Sequence, residues 1–313
     1  GLSMSHPAWH REPVCMGVLP KIIHLPWDQP TVAAAVDWLV ADAGDGRVDL
    51  SETWVLLPTR QAGRRLREAL AWACRERGGV FPPRTGTPFQ LLHPQETQVT
   101  PEVACIGYWV QTLEGHIGET RPNLCPALPE QRDFGWRRKM AEALHAMRAT
   151  LMEGGWDCAQ LVDSEHCEEE AGRWRDLARL EAAYRERLTQ AGLVDYHDSR
   201  RAAAESPDLS DVRRVVILGV TDISPVIEQA LTRLMEQEVP VQLVCFGPGE
   251  GMDEWGRPIP AFWNARSLPV TEGHLVPVLD ERAQAEAAVA RVKPYRKQVH
   301  DRVAVGVADP AVL

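Results

Sequence analysis

The residues with the greatest potential for chemistry follow short apolar runs, where α/β proteins place their ligand-binding loops. Residues 215–218 (VVIL) form such a run and predict a buried strand, and the loop Gly219-Val220-Thr221-Asp222 comes directly after it. Metal-assisted phosphoryl transfer needs one acidic residue that holds magnesium and another group that positions water. Gly219 and Val220 carry no carboxylate, and Asp222 alone is more typical of a residue that stabilises a turn. The loop therefore predicts no hydrolytic chemistry.

A second loop, residues 26–30, separates a strand-like run at 21–25 from a predicted helix that begins at Thr31. A phosphate-binding loop at this place needs glycines whose N–H groups surround the phosphates, a lysine, and a Ser or Thr for magnesium. If Thr31 takes the Ser/Thr position, Pro30 stands at the lysine and Gln29 at the preceding glycine. Proline supplies neither the cation nor an N–H donor, and GxxxxGK[ST] occurs nowhere in the chain. We therefore predict no nucleotide hydrolysis and no bound cofactor.

Other combinations of reactive residue types give weaker indications. The segment Asp195-Tyr196-His197-Asp198 offers two carboxylates and an imidazole, but a structural turn is the favoured interpretation. The tryptophans between residues 136 and 174 recur at helical spacing, which favours packing in a core over base stacking. The sequence supports no Ser-His-Asp or Cys-His arrangement and contains no CxxC pair. We predict neither catalytic residues nor a metal site.

The elements around these loops alternate between strand and helix in the first hundred residues, a pattern typical of a parallel α/β sheet. Strands are predicted at residues 21–25 and 54–57, and a strand followed by a turn is predicted at 84–92. Helices are predicted at 31–43 and at 60–77, each with apolar residues on one face.

Between about residues 101 and 207, strand patterns vanish and amphipathic helices that contain tryptophan take their place. The α/β pattern then resumes, with a helix at 281–292 and strands at 213–218, 241–246, 275–279 and 303–307. The predicted fold is a parallel sheet flanked by helices and interrupted by an inserted all-helical subdomain. Its predicted domains are an arm with a tag remnant at 1–20, the sheet domain at 21–100 plus 208–313, and the helical insertion at 101–207.

Composition limits the classes of function. The chain has 313 residues, 44% of them apolar and 25% charged, as in ordinary globular proteins. A net charge of −10 argues against non-specific coating of nucleic acid, although a local basic groove remains compatible with it. The apolar runs are too short to cross a bilayer. Seven cysteines, an odd number, favour a reducing compartment, so we expect a cytoplasmic protein. We also expect that it makes no membrane contact and that it is a segment of a longer protein.

Several motifs together resemble superfamily I DNA helicases whose ATPase residues have degenerated, and in particular the amino-terminal half of AddB-type subunits of the AddAB helicase–nuclease. LGVTDISPVIEQ (218–229) is similar to the Walker B segment VDEFQDTNPLQ, with Gly219 and Val220 at its two acidic positions and Asp222 near the later aspartate. LPTRQAGRRL (57–66) resembles helicase motif Ia, and GTPFQLL (86–92) resembles the GTFHSL segment that follows it.

The resemblance covers about residues 21–313, including the segments 246–266 and 281–292. It implies a RecA-like (P-loop NTPase-like) fold and a subunit without enzymatic activity that works in double-strand-break repair. The implied partners are an AddA-type helicase–nuclease subunit and DNA, which is expected to be single-stranded. The degenerate nucleotide site would comprise Gln29, Pro30, Thr31, Gly219, Val220 and Asp222.

The motif Ia resemblance implies a DNA-binding patch. Its residues are Thr59, Arg60, Arg64, Thr87 and Phe89. A hydroxyl at a helix start can hold a phosphate, arginines attract the backbone, and an aromatic ring can stack on a base. The simpler explanations are that Thr59 caps its helix, that the arginines form a solvated face and that Phe89 belongs to the core.

Two other functions remain open at this point. The acidic balance favours a protein-interaction scaffold that makes no DNA contact. The other is a working ATPase with an unrecognised nucleotide site.

Overall fold

The structure is a computed structural model, and it describes residues 18–43, 46–94, 99–116, 123–124, 132–207, 209, 211–267, 269–298 and 303–306. The chain divides into two compact units, Gly1–Ile259 and Pro260–Leu313. The predicted arm at residues 1–20 lies almost wholly outside the described residues, and its last three residues form neither helix nor strand.

A five-stranded parallel sheet organises the first unit, with strand order β1-β7-β6-β3-β5. A short parallel pair, β2 with β4, lies outside that sheet. The strands are β1 Lys21–Leu25, β2 Val48–Asp49, β3 Thr53–Leu56, β4 Val80–Phe81, β5 Arg84–Gly86, β6 Arg214–Leu218 and β7 Val241–Phe246. The parallel α/β architecture predicted from the sequence is confirmed.

Helices flank the sheet and fill most of the remaining described chain. In the first unit they are α1 Thr31–Asp42, α2 Arg60–Ala73, α3 Glu102–His116, α4 Phe134–Glu153, α5 Cys158–Val162, α6 Ala171–Gln190, α7 Tyr196–Glu205 and α8 Pro225–Glu236. In the second unit they are α9 Pro260–Asn264 and α10 Glu281–Val292. The described residues include no helix long and apolar enough to cross a bilayer.

The central strand β6 shows why the sheet is covered on both faces. Its side chains alternate: Val215 and Ile217 pack in the core beneath α8, whereas Val216 and Leu218 pack in the core beneath α1 and α2. All four residues are buried. A strand buried on both sides needs a continuous apolar run, and the run at 215–218 supplies it.

The described residues between β5 and β6 form helices α3–α7, and no strand of either sheet lies among them. These helices share a third core, in which Trp109 stacks on Tyr184 with ring centroids 4.1 Å apart. Trp136 and Trp174 pack against this core, as the helical spacing of the tryptophans predicted. The helical character of this stretch is thus confirmed.

The two strands predicted in the second unit are wrong. Residues 275–278 have no regular structure, and Leu275 and Leu279 are largely exposed. The described part of the other segment, 303–306, is likewise not a strand, and Val307 lies outside the described residues. An isolated strand cannot pair its backbone groups, and the described residues of this unit supply no second strand. The predicted helix at 281–292 is confirmed.

Candidate functional site at the carboxyl edge of the sheet

The loops singled out in the sequence share one edge of the sheet. Because β1, β3, β5, β6 and β7 are parallel, the loops that follow them all leave from the carboxyl edge. β7 lies between β1 and β6, so the strands before the two nucleotide-like loops are roughly 10 Å apart. This edge is where open α/β sheets bind ligands.

Gln29, Pro30 and Thr31 lie at the start of α1 and are exposed. The Pro30 carbonyl accepts hydrogen bonds from the N–H groups of Ala33 (3.0 Å) and Ala34 (3.1 Å). Since Pro30 itself has no N–H, this helix start offers fewer donors than a glycine-rich phosphate loop.

Aromatic rings connect the loops after β1, β7 and β6. Trp27 packs on Gly247, where an added Cβ would lie 3.0 Å from the indole ring, and Phe246 packs on Gly219, where the corresponding distance is 3.1 Å. Both glycines have positive φ, 114° and 62°, a conformation that other residues adopt at a cost. The three loops are therefore held against one another by ring-to-backbone contacts.

Gly247→Ala is expected to lower the free energy of unfolding by more than about 1 kcal/mol, because the new methyl meets both a positive φ and the Trp27 ring. Gly107→Ala is the matched control. Gly107 lies inside α3 with open space around it, so alanine there is expected to stabilise the protein by about 0.4–1 kcal/mol. Urea unfolding measures both effects, and equal shifts in the two variants would contradict the packing described.

The Walker B-like positions serve the turn and the core. Gly219 makes the left-handed turn that ends β6, and its N–H donates to the Val244 carbonyl at 2.9 Å. The Val220 side chain packs against the core beneath α8, and Asp222 is exposed. Of these three positions, only Asp222 presents a carboxylate at the edge.

The DNA-binding residues predicted from motif Ia lie on two adjacent loops. β3 pairs with β5, and the Leu57 N–H donates to the Gly86 carbonyl at 2.8 Å where the two strands end. Thr59 caps α2: its hydroxyl oxygen accepts from the Ala62 N–H at 3.1 Å, which leaves its own proton available to a ligand. Arg60 is exposed at the first position of α2.

Farther along α2, Arg64 is 76% exposed and pairs with Glu68 at 3.1 Å. An exposed pair of this kind contributes about 0.3–0.5 kcal/mol and exchanges readily, so Arg64 remains accessible to an anion.

The loop after β5 is a short 3-10 turn, Pro88–Leu92. Thr87 and Gln90 cap it reciprocally, and Leu91 and Leu92 anchor it in the core. Phe89 is 37% exposed, unlike these two leucines. The turn thus presents an aromatic ring on the loop next to the one that carries Thr59.

Arg200 of α7 belongs to this site and was missed in the sequence. Its guanidinium carbon lies 5.0 Å from the Phe89 ring centroid, and its Nη2 donates to the Phe89 carbonyl at 3.4 Å. The two residues are 111 positions apart, and no motif connects them. The only local signal is Tyr196, four residues before Arg200 on the same helix face, whose ring centroid lies 5.5 Å from the guanidinium.

The acid–base candidate at 195–198 forms part of a buried ionic network. Asp195 caps α7 and accepts hydrogen bonds from the Tyr184 hydroxyl (2.6 Å) and the His197 N–H (2.9 Å), while Arg148 lies 2.6 Å away. Burial alone would raise the pKa of Asp195, but Arg148 and the Tyr184 hydroxyl outweigh it and bring the pKa to about 2. Asp198 pairs with Arg148 at 2.9 Å. These contacts favour the structural interpretation.

Next to this network, the rings of His145 and His197 lie in contact, tilted at 38° with centroids 4.4 Å apart. Both are buried, and none of their four ring nitrogens has a hydrogen-bond partner within the described part of the chain. Burial, together with a smaller effect of the neighbouring His145, lowers the pKa of His197 to about 4. Among the described residues, no group of three or more His, Cys, Asp or Glu is placed to hold a metal ion.

No protein-family model and no curated protein sequence matches this chain. The resemblance to AddB-type subunits therefore rests on the segments 57–66, 86–92 and 218–229 and on the geometry of the carboxyl edge.

Proposed function

We propose that this chain is the helicase-like, non-catalytic portion of an AddB-type subunit, which guides single-stranded DNA during double-strand-break repair. One observation carries the proposal. The strands that precede the P-loop-like, motif Ia-like and Walker B-like segments are β1, β3 and β6, and all three lie parallel in one sheet. Had those segments belonged to different sheets, the motif order would have had no structural meaning.

The proposal includes a RecA-like fold with residues 101–207 as a helical insertion between the sheet segments 21–100 and 208–313. Helices α3–α7 follow β5 and precede β6, and they have a core of their own, which supports this arrangement. The split of the chain after Ile259 is compatible with a further boundary inside the second sheet segment.

The absence of catalysis is proposed on chemical grounds. Pro30 offers no cation at the lysine position, and Gly219 and Val220 offer no magnesium ligand. The Trp27 and Phe246 rings connect the loops between which the phosphates of a nucleotide would have to pass.

DNA guidance is proposed for the loops after β3 and β5. Thr59 and Arg60 follow β3, and Thr87 and Phe89 follow the neighbouring strand β5, so the two loops together offer a hydroxyl donor, a cation and a ring. Single-strand binding by sequence-tolerant proteins relies on this combination of charge and stacking.

Docking to an AddA-type helicase–nuclease is proposed as the second task, since an inactive helicase-like chain needs an active motor to move DNA past it. The five described cysteines, Cys74, Cys105, Cys158, Cys167 and Cys245, are free thiols, which supports a place in the reducing cytoplasm. A scaffold that makes no DNA contact is the second candidate. The net charge of −10 and the capping roles of Thr59 and Thr87 favour it.

Single-strand binding at several salt concentrations separates these two functions. We expect oligo(dT) to bind with a log–log salt slope that falls in magnitude by about 0.7 in Arg60→Gln, because one phosphate contact is lost. The affinity of this variant at low salt is expected to fall about 3- to 10-fold.

Arg213→Gln is the matched control, because Arg213 is equally exposed but lies just before β6, at the opposite edge of the sheet. This variant is expected to bind like the unaltered protein. If the unaltered protein shows no salt-dependent binding, the scaffold function replaces DNA guidance.

A further inference from the structure

Arg200 is held between two aromatic rings at the boundary between α7 and the loop after β5. Its guanidinium lies 5.0 Å from the ring centroid of Phe89 and 5.5 Å from that of Tyr196. The hydrogen bond to the Phe89 carbonyl uses one of its five N–H donors. The side chain is thus fixed in place, with most of its donors unused by these contacts.

Arg200 also differs from the neighbouring arginines in its ion pairing. Arg148, Arg185 and Arg201 each lie within 4.0 Å of a carboxylate in the α4–α7 region. Arg200 forms no ion pair with any carboxylate of the described chain, and it is only half-buried. A stacked guanidinium with free N–H groups suits the planar recognition of a phosphate.

The position of this arginine connects it with the carboxyl edge. Phe89 lies in the turn that follows β5, and β5 is the direct neighbour of β3, whose loop leads to Thr59 and Arg60. Both loops therefore leave the sheet at its carboxyl edge, the edge that a bound strand would cross between Arg60 and Arg200.

We propose that Arg200 and Phe89 form a nucleotide subsite for single-stranded DNA, in which Arg200 binds a backbone phosphate and Phe89 stacks on the adjacent base. This inference rests on the proposed function and adds to it a residue of α7, which motif comparison does not assign. The subsite joins α7, the last helix between β5 and β6, to a loop of the sheet, so DNA bound there contacts both the helical stretch and the sheet.

The test compares oligo(dT) binding of three variants over a range of salt concentrations. Arg200→Gln is expected to bind about 3- to 10-fold more weakly at low salt, with a salt slope smaller by about 0.7. Arg200→Lys keeps the charge and is expected to retain the slope while losing affinity, because lysine lacks the planar stack. Phe89→Leu is expected to lose about fivefold or more in affinity with an unchanged slope, because stacking involves no counterion release.

Arg233→Gln is the control, because Arg233 lies two turns along α8, away from the edge, and is half exposed. It is expected to change neither affinity nor slope. Loss of binding in Arg60→Gln together with an unchanged slope in Arg200→Gln would overturn the subsite and leave DNA guidance intact. Absence of binding by the unaltered chain would overturn both.

Thermal unfolding establishes that each variant is folded before binding is compared. Should Arg200→Gln fail to fold, photo-crosslinking of a 5-bromodeoxyuridine oligonucleotide to the unaltered chain decides the question. Crosslinks within residues 84–92 or 196–201 support the subsite, and crosslinks confined to other segments overturn it.

Discussion

Arg148→Met is expected to destabilise the protein by about 3–5 kcal/mol, the largest effect of any single substitution that we predict. The Arg148 guanidinium lies 2.6 Å from both Glu181 and Asp195 and 2.9 Å from Asp198. Arg148 and Glu181 are each 3% exposed, and Asp195 is 1% exposed. Methionine fills a similar volume but leaves the carboxylates of Glu181 and Asp195 buried without the Arg148 cation.

Urea unfolding at pH 7.5 measures this loss, and Arg64→Met is the matched control. The same chemical change at the exposed Arg64–Glu68 pair is expected to cost less than about 0.5 kcal/mol. Adding Glu181→Gln and Asp195→Asn to Arg148→Met is expected to recover part of the stability, since the unpaired charges are then gone. Similar losses for Arg148→Met and Arg64→Met would contradict the network.

The second large effect is a loss of stability in mild acid. His197 has a pKa of about 4 in the folded protein because burial disfavours its cation, whereas an unfolded chain binds that proton near pH 6.5. Stability is therefore fully present above pH 6.5 and falls as the pH drops towards 4. The expected loss from His197 alone is about 3 kcal/mol.

The groups around the pair set the limits of this pH window. Burial also lowers the pKa of His145, so His145 adds to the loss, although Glu102 and Asp195 partly favour its cation. Arg148 and Arg200 lower the pKa of His197, whereas Asp195 raises it. Asp195 itself has a pKa of about 2, so it stays ionised in this window and loses its contribution only below about pH 4.

Unfolding free energies at pH 8, 7, 6 and 5 test this expectation. His197→Phe removes one titrating group and keeps a ring against His145, so the dependence on pH is expected to become shallower. His24→Gln, which removes an exposed histidine outside this pair, is the control, and a change as large as that in His197→Phe would contradict the assignment to the pair. A free energy of unfolding that stays constant between pH 7 and 5 would contradict the neutral, buried pair.

Much of the sheet could be predicted from the sequence because β1, β3 and β6 are short, mostly apolar runs that a helix follows. The run at 215–218 and the strands at 21–25 and 241–246 agree with β6, β1 and β7. The same rule gave a wrong strand at 275–279, because an apolar run reports a preference for burial and carries no information about a pairing partner. Leu279 shows the consequence, since it is fully exposed.

The site could be predicted only as far as local motifs reach. Parallel strands bring their carboxyl ends together, so the proximity of the Thr59 and Thr87 loops follows from the α/β pattern. The contact of Trp27 with Gly247 and that of Phe89 with Arg200 depend on how distant segments pack, and periodicity carries no information about such pairs. The contact between His145 and His197, 52 residues apart, escaped prediction for the same reason.

The affinity for single-stranded DNA with and without Mg-ATP tests most directly the proposal that this edge binds DNA without coupling to nucleotide. We predict salt-dependent binding of oligo(dT) whose Kd is unchanged by saturating Mg-ATP, in the unaltered protein and in Thr31→Ala alike. A Kd that changes with Mg-ATP in the unaltered protein and no longer changes in Thr31→Ala would contradict the account.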